Sequence, residues 1–309
     1  MITINLSQSA FSYHGCILEL YRKCVEGYYE LPSANIVYGT AIHKYVHIMY
    51  QTGGHIPTAR EEALKEFNAP KIPAKRGSTH LDDPKHMLAT AFMFFESYIK
   101  EDKNTEVVLL NGKPATEVSF SMPFYQDEHV NVNWCGTIDK IAKIKNGCYI
   151  LPDIKTTSSW DKNGYFSTYK LSRQLRGYVL ALRLMARHYP TSILGQIGMT
   201  HIGTRIDGCF IKPSSHENKY IASDINFYDD SDIAEYEKML LAKCKELSEC
   251  VRLNYFPKQG ILNSSCSGKW GLCSFANVCA VNDNVGRILL ERDFKKKEFN
   301  PLNYGGGLE

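Results

Sequence analysis

The chain has 309 residues, a hydrophobic fraction of 44% and a formal net charge of +3. Its length and apolar content suffice for a folded domain with a buried core, and no apolar run reaches the ~18 residues that a membrane-spanning helix needs. The near-balanced charge neither requires nor excludes a nucleic-acid partner. The N-terminus lacks the basic and apolar segments of a signal peptide, so we expect a cytoplasmic, intracellular protein with no membrane partner.

The first hundred residues show the apolar periodicity of helices. Apolar side chains recur at helical spacing in three segments, and a Leu-Pro-Ser sequence breaks the chain after the first of them. A stretch rich in Gly, Pro, Lys and Arg separates the second segment from the third, and it predicts an insertion with one short helix. The predicted helices cover 10–29, 37–51, 59–67 and 85–100, and the insertion covers 52–84.

The rest of the chain changes to strand patterns and then alternates strands with helices. This order predicts one α/β domain with a central mixed sheet flanked by helices. The domain would comprise a helical part over 1–105, a sheet core over 106–212 and a C-terminal part over 213–304, with a flexible glycine-rich end at 305–309. The predicted strands cover 106–110, 116–123, 130–135, 192–202 and 208–212, and the later helices cover 171–188 and 232–254.

The segment 136–155 predicts a β-hairpin, because the dipeptide Asn146-Gly147 stands between alternating apolar residues. A two-residue turn there would place Asp139 and Asp153 on opposite faces. A three-residue loop that begins one residue earlier would pair them directly, with Cβ atoms about 5 Å apart, close enough for both carboxylates to hold one divalent cation. We predict the three-residue loop. Lys155 then projects from the same face as Asp153.

Two carboxylates beside a lysine are the groups that phosphodiester hydrolysis needs. Carboxylate and main-chain carbonyl oxygens are hard ligands that suit Mg²⁺ or Mn²⁺. The cation acts as a Lewis acid on the phosphoryl oxygen, and the lysine can orient or deprotonate the attacking water or neutralise a phosphate. Pro152 predicts an irregular strand just before Asp153, which an ordinary exposed hairpin does not need. The pattern therefore predicts a metal-dependent hydrolase.

Four short motifs follow one another along the chain: Gly39-x-x-x-His43, Ile138-Asp139, Pro152-Asp153-Ile154-Lys155 and Gln174-x-x-x-Tyr178. Together they resemble the PD-(D/E)XK nuclease superfamily, and within it the RecB-type branch that includes the AddB helicase-nucleases and the CRISPR-adaptation nucleases. The resemblance implies a restriction-endonuclease-like core and a metal-dependent DNA nuclease.

The resemblance also implies the roles of the site residues. Lys155 would be the catalytic lysine. Gln174 and Tyr178 share one helix face, and they would contact the scissile strand or position Lys155. Glu117, on the strand before the hairpin, is a candidate additional acid that binds the metal through water. The implied metal ligands are one imidazole, two carboxylates and one main-chain carbonyl: those of His43, Asp139, Asp153 and Ile154.

Ten cysteines in an intracellular chain do not predict a disulfide framework. Cys266, Cys273 and Cys279 cluster in a loop-rich tail. RecB-type nucleases with an iron–sulfur cluster carry one cysteine in the first helix and three after the core, so the resemblance implies that Cys16 completes a [4Fe–4S] site closing the chain ends. The family tail usually has two residues between its first two cysteines, whereas six stand here, and Cys24 is an alternative ligand. A Cys₄ zinc site would use the same residues.

Basic and aromatic side chains around the hairpin predict contacts with nucleic acid. Lys170 and Arg173 would bind phosphates, and Trp160 and Tyr165 would stack on the bases of an unpaired end. We therefore predict a deoxyribonuclease that acts as an exonuclease on duplex ends or single strands. Because the chain has no helicase phosphate-binding loop, unwinding would need a helicase or recombination partner. The alternatives are a CRISPR-adaptation nuclease and a non-catalytic iron–sulfur DNA-binding subunit of a recombination or repair complex.

Overall fold

The structure is a computed structural model that describes residues 1–7, 16–159, 161–211, 219–258, 266–268 and 271–297. Across these segments, no helix has both the length and the apolar composition to cross a membrane. The helices are α1 (Ile17–Cys24), α2 (Ala34–Gln51), α3 (Ile56–Phe67), α4 (Pro84–Glu101), α5 (Lys162–Ser167), α6 (Arg173–His188), α7 (Ile193–Gly198), α8 (Asp230–Leu253), α9 (Ala276–Cys279) and α10 (Asp283–Asp293), with a 3-10 helix at Thr79–Asp82.

Strands alternate with these helices and give the mixed α/β architecture that the sequence predicts. They are β1 (Ile2–Ser7), β2 (Tyr28–Tyr29), β3 (Thr105–Val107), β4 (Leu109–Leu110), β5 (Lys113–Pro114), β6 (Thr116–Gln126), β7 (Val130–Lys140), β8 (Ala142–Ile144), β9 (Tyr149–Thr157), β10 (Ile202–Phe210), β11 (Lys219–Ala222), β12 (Asn226–Phe227), β13 (Ser267–Gly268), β14 (Gly271–Leu272) and β15 (Lys295–Lys296).

Two mixed sheets meet where β7 leads into β8. The larger sheet has the order β11-β10-β9-β8-β3, with β12 also paired to β10, and its β9 and β10 are parallel. The smaller sheet has the order β1-β7-β6, with β1 parallel and β6 antiparallel to β7. Short separate ladders join β4 to β5, β13 to β14 and β2 to β15. The last of these ladders ties residues near the two ends of the chain together.

The three-residue loop of the hairpin is confirmed. The Ile144 N–H donates to the Cys148 carbonyl at 2.9 Å, and Gly147 has φ 94°, a conformation that glycine adopts without strain. The prediction of one continuous hairpin over 136–155 is wrong, because the ladder between β8 and β9 ends at the pair Ala142–Ile150. Beyond it the chain crosses into the smaller sheet, where β7 pairs with β1 and β6.

The apolar side chains form two main cores on these sheets. One core packs α6 and α8 against the smaller sheet, and it includes Trp134, whose indole N–H donates to the Gly177 carbonyl at 3.1 Å. The other core packs α2, α3 and α4 against the larger sheet. Ala59 and Ala63 of α3 are fully buried in it, so this part of the expected insertion belongs to the helical layer.

Several element predictions need correction. The segment 192–202, predicted as a strand, forms α7 before β10 begins, because the Ser192 hydroxyl accepts the Gly195 N–H at 3.0 Å and caps a helix. Strand β1 and helix α10 were not predicted. The predicted helix over 10–29 is described from residue 16 onward, where it is α1, and the end at 305–309 lies outside the described residues.

A buried ionic cluster lies beside the junction of the sheets. Arg205 forms ion pairs with Asp207 at 2.7 Å and with Asp102 at 2.6 Å. Lys140, at the end of β7, lies 3.7 Å from Asp207. Burial lowers the pKa of Lys140 to about 7, although the charge of Asp207 opposes this. Because each buried charge has a partner of opposite sign, the cluster avoids an uncompensated charge in the core.

Candidate active site

Four elements bring charged side chains to the junction of the two sheets. Helix α2 supplies His43, β6 supplies Glu117, β7 supplies Asp139, and β9 supplies Asp153 and Lys155. Helix α2 can lie close to β9 because of Gly39 in the Gly39-x-x-x-His43 motif. A Cβ at Gly39 would come within 3.1 Å of the Thr156 hydroxyl oxygen.

His43, Glu117 and Asp139 form a group that could hold a metal ion. Their ligand atoms lie within 4.8 Å of one another, and no other group of three meets this criterion in the parts of the chain that the structure covers. His43 Nδ1 lies 3.4 Å from Asp139 Oδ2 and 3.9 Å from Glu117 Oε1. Octahedral coordination with bonds of about 2.1 Å puts neighbouring donors about 3 Å apart, so small movements would fit these atoms around Mg²⁺ or Mn²⁺.

Glu117 reaches this group through an unusual backbone conformation. Its φ is 51°, in the left-handed region, where a residue with a Cβ is strained by about 1–2 kcal/mol. Its neighbours in β6 keep the regular ladder with β7, so Glu117 stands opposite Asp139 across the strands. Strain of this kind persists only where the surrounding structure enforces it.

Thr116 fixes the chain just before Glu117. Its hydroxyl oxygen lies 2.8 Å from His47 Nδ1 and accepts a hydrogen bond from Gln51 Nε2 at 3.0 Å. Both partners lie on α2: His47 is four residues and Gln51 eight residues after His43. The same face of α2 therefore provides a metal donor and anchors the start of β6.

Mutual charge interactions govern the protonation of the metal-binding group. Burial alone would lower the pKa of His43, but the charge of Asp139 and a hydrogen bond with Glu117 raise it to about 9. Burial raises the pKa of Asp139, and the positive charges of His43 and Lys155 counteract this rise. Without a metal, His43 is therefore an imidazolium that offsets the acids at neutral pH.

Asp153 and Lys155 form a second, adjoining pair. Asp153 is fully buried, and its Oδ2 lies 2.5 Å from the Lys155 ammonium. Burial raises the pKa of Asp153 to about 6, against the opposing effect of Lys155. For Lys155, burial would lower the pKa, but the charges of Asp153 and Asp139 outweigh it and raise the pKa above its usual range.

The two acids meet, but not as a directly opposed pair on one hairpin. Asp139 Oδ2 accepts the backbone N–H of Ile154 at 2.8 Å, which ties the end of β7 to β9. Asp139 also contributes to the raised pKa of Asp153, as expected for neighbouring carboxylates. Metal binding by the Ile154 carbonyl stays a prediction.

Gln174 and Tyr178 are linked to Asp153 by hydrogen bonds. Gln174 Nε2 donates to the Tyr178 hydroxyl at 2.7 Å, and that hydroxyl donates to Asp153 Oδ1 at 3.5 Å. Tyr178 is buried. The pair thus forms a chain of hydrogen bonds from α6 to the buried carboxylate, whereas the sequence predicted a contact with Lys155 or with the substrate strand.

The predicted nucleic-acid contacts have different surroundings. Lys170 and Arg173 are exposed at the start of α6. Tyr165 is half-buried, with its ring against Phe210 and its hydroxyl accepting a hydrogen bond from Tyr169 at 3.1 Å. This packing limits the stacking of a base on Tyr165. Trp160 lies outside the described residues.

Comparisons with known proteins add little to this site. No protein-family model and no curated protein matches the sequence. A crystal structure named "Putative exonuclease" from Eubacterium rectale is similar with a TM-score of 0.48 and 10% identity, over 98% of this chain and 94% of that chain. The structure of SSO0001 is similar with a TM-score of 0.29 and 17% identity, over 72% of this chain and 77% of that chain. Since both TM-scores are below 0.5, neither likeness assigns a fold family or an activity.

The four predicted cluster ligands lie in one region. Cys16 is the N-cap residue of α1, and Cys266 and Cys273 are joined by a backbone hydrogen bond of 2.8 Å in the small core that Cys279 adjoins. Burial raises the pKa of Cys273 to about 12, with a smaller contribution from Cys16. Their sulfurs do not form a compact group of metal-ligand atoms within 4.8 Å, whereas tetrahedral zinc would place them about 3.8 Å apart.

Some residues of the site were not predicted. His47, Gln51 and Thr116 were missed, although His43, His47 and Gln51 follow the four-residue spacing that places polar groups on one helix face. That spacing was the available signal. The left-handed conformation of Glu117 has no signal in the sequence, because glutamate rarely adopts it.

Proposed function

We propose that this protein is a metal-dependent nuclease of the PD-(D/E)XK type that hydrolyses DNA. One observation carries the proposal: three acids, a histidine and a lysine from four separate elements meet at the junction of two sheets. Replacing buried charges by well-packed apolar residues is often neutral or stabilising, so a group of five ionisable side chains points to chemistry more than to stability. Its donor set suits Mg²⁺ or Mn²⁺.

The charges of the site support a divalent cation. Three carboxylates (Glu117, Asp139 and Asp153) face Lys155 and the protonated His43. When His43 gives up its proton to become a ligand, the three carboxylates are balanced only by the charge of Lys155. A divalent cation then brings the site to neutrality. Cation binding is therefore coupled to release of the His43 proton. When bound, the cation would supply Lewis-acid stabilisation of the phosphoryl group.

Other side chains of the site would stabilise charge on the phosphate and keep one another in position. Lys155 keeps its proton at neutral pH because its pKa is raised, so it would stabilise negative charge on the phosphate rather than accept a proton. Asp153 holds the ammonium in place. Tyr178 and Gln174 would keep the Asp153 carboxylate oriented. Preorganised charges of this kind make the largest contribution to most enzymatic rate enhancements.

The substrate would be a DNA end or single strand. Lys170 and Arg173, exposed at the start of α6, would bind phosphates of the strand whose scissile bond lies at the metal group. Exonuclease action, and a helicase or recombination partner that supplies the strand, follow from the RecB-type resemblance. A role in CRISPR adaptation would use the same site.

A time course on 5′- and 3′-labelled linear DNA and on circular DNA tests this function. With Mn²⁺, the protein should shorten linear strands progressively and leave circles intact, and EDTA should stop the reaction. Lys155→Met should slow cleavage at least about 100-fold, as loss of one charge-stabilising donor does in other enzymes, and leave DNA binding in place. Lys143→Met, an exposed lysine of β8, is the control. Full activity of Lys155→Met, or no metal-dependent cleavage at all, would overturn the proposal.

We further propose that Cys16, Cys266, Cys273 and Cys279 bind a [4Fe–4S] cluster. Their proximity supports this, as does the β2–β15 ladder, which brings the same two parts of the chain together. The surroundings of Cys24 include Ser7 and Cys135 rather than the tail cysteines, which favours Cys16 as the fourth ligand. The cluster would be structural and hold the chain ends together.

A further inference from the structure

A cavity of about 300 Å³ is lined by residues of α2, α4 and the end of β7. This volume is at the lower end of the range for small-molecule sites, about 300–1,000 Å³. Tyr50 of α2, Tyr98 of α4 and Lys140 of β7 line it. Lys140 follows the metal-site residue Asp139 in the chain, so the cavity and the metal group share β7 as well as α2.

Two residues that line the cavity carry polar groups with unused hydrogen-bonding capacity: Lys140, although its charge is paired with Asp207, and Tyr98. Lys140 is 2% exposed, and its ion pair with Asp207, at 3.7 Å, is longer than a hydrogen bond. The Tyr98 hydroxyl is buried and has no hydrogen-bond partner within the described ranges. Buried polar groups are nearly always paired. The two side chains also adjoin one another, since Lys140 Nζ lies 4.0 Å from the centre of the Tyr98 ring.

The remaining walls suit a flat, neutral ring. Tyr50 supplies a half-buried aromatic ring, while Val107 and Pro114 add apolar surface. Asp102 and Glu106 also line the cavity. They would repel a phosphate, whereas an uncharged heterocycle with a carbonyl oxygen could receive hydrogen bonds from the amine and the hydroxyl.

The position of the cavity relates it to a bound DNA strand. Tyr50 lies seven residues after His43 on α2, which is about 10 Å along the helix axis. Stacked bases follow one another at about 3.4 Å. A strand whose phosphate lies at the metal group can therefore present a base to the cavity about three steps away.

We propose that this cavity binds a nucleobase of the strand being cut and prefers bases with an exocyclic carbonyl oxygen. Lys140 and the Tyr98 hydroxyl donate hydrogen bonds to that oxygen, and Tyr50 stacks on the ring. Thymine, guanine and cytosine carry such an oxygen, whereas the exocyclic group of adenine is an amino group. This inference rests on the proposed function, because the nuclease site brings the strand to the cavity.

The test measures binding in EDTA, so that no cleavage occurs. Two labelled single strands are compared by fluorescence anisotropy: one of adenines only, and one of the same length with a single central thymine. Because the strand can shift to bring the thymine into the cavity, the result does not depend on a fixed register. The thymine strand should bind about 5- to 150-fold more tightly, which corresponds to the discrimination of one well-formed base contact.

Variants assign the preference to the cavity. Tyr98→Phe removes only the hydroxyl and should reduce the thymine preference toward one. Tyr45→Phe is the matched control, because the Tyr45 hydroxyl on α2 is likewise buried without a described partner and the residue does not line the cavity. Tyr50→Leu should weaken binding of both strands. Thymidine and adenosine, titrated separately by NMR, should show binding of the former that Tyr98→Phe weakens.

The outcomes separate this inference from the proposed function. A thymine preference that Tyr98→Phe leaves unchanged overturns the inference, as does equal binding of both strands or absence of thymidine binding. Cleavage of DNA by the wild type in Mn²⁺ would still support the nuclease. Conversely, a Tyr98-dependent thymine preference without any cleavage would support the cavity and overturn the nuclease.

Discussion

Because Glu117 has a left-handed backbone conformation, two substitutions there can separate an effect on the free energy of unfolding from an effect on metal affinity. Glu117→Ala removes the carboxylate and keeps the backbone strain, whereas Glu117→Gly removes both. Relief of the strain is worth about 1–2 kcal/mol, and glycine loses about 0.5–1 kcal/mol through the greater entropy of the unfolded chain. Glu117→Gly should therefore be at least as stable as Glu117→Ala, with a free energy of unfolding higher by up to about 1.5 kcal/mol.

Both substitutions should weaken metal binding equally. Each removes one of the three donors of the metal group. Loss of a group that merely supports a ligand weakens metal affinity about 10- to 100-fold, and loss of a donor should cost no less. Glu117 helps to raise the pKa of His43, so its removal lowers that pKa. Protons then compete less with the metal for His43, and a small part of the lost metal affinity is recovered.

Calorimetric titration with Mn²⁺ and urea unfolding measure the two effects. Asn111→Gly is the backbone control, because Asn111 also has a left-handed φ, 52°, in the turn between β4 and β5. It should leave Mn²⁺ affinity unchanged. Wild-type Mn²⁺ affinity in Glu117→Ala would refute the assignment of Glu117 to the site. A Glu117→Gly protein that is less stable than Glu117→Ala would refute the strain argument.

Three further predictions concern other parts of the molecule. Burial, with a smaller effect of Lys44, lowers the pKa of His47 to about 4. The neutral imidazole therefore stabilises the fold fully above pH 6.5, and this stabilisation is lost as the pH falls toward 4. Urea unfolding at a series of pH values should show that the free energy of unfolding falls over this range by up to about 3 kcal/mol less in His47→Asn than in the wild type. Arg205→Met leaves Asp102 and Asp207 without their shared cation and should lower the unfolding free energy by about 3–5 kcal/mol, whereas Arg292→Met, which breaks an exposed pair, should leave the urea midpoint unchanged. Protein purified without oxygen should absorb near ~400 nm, as expected of an iron–sulfur cluster. Cys273→Ser should abolish this absorbance, and the control Cys250→Ser should preserve it. A colourless wild type with bound zinc would contradict the cluster.

The sequence predicts features that depend on neighbouring residues. The loop at Asn146-Gly147 is such a feature, because the turn chemistry of Asn-Gly acts within a few residues. The crossing of β7 into a second sheet depends instead on β1, a strand from the first residues of the chain that pairs with β7. No local pattern reports a partner that lies more than 120 residues away, as the pair Ile2–Val130 does.

A short apolar run explains the main error in element type. The residues of α7 are apolar enough for a buried strand, and periodicity alone does not separate a buried strand from a buried helix turn over six residues. Ser192 was the deciding signal, since it is a good N-cap residue. In β10, by contrast, all nine residues are buried, which is the pattern of an interior strand.

The candidate site could be predicted in its chemistry but not in its geometry. Asp139, Asp153 and Lys155 are identified by their types and spacing and His43 by the family resemblance, and the structure brings them together. How they are held depends on tertiary contacts: the Ile154 N–H on Asp139, and the anchoring of Thr116 by α2. Sequence spacing contains no information about these contacts.

Asp139 would hold the divalent metal with which the protein cuts DNA. The most direct measurement is the initial rate at which labelled nucleotides are released from single-stranded DNA in Mn²⁺ by the wild type and by Asp139→Asn. We expect a rate at least about 100-fold lower for Asp139→Asn, and an unchanged rate for Glu128→Gln, an exposed acid in the turn between β6 and β7. Equal rates for Asp139→Asn and the wild type would refute a metal-dependent nuclease site at Asp139.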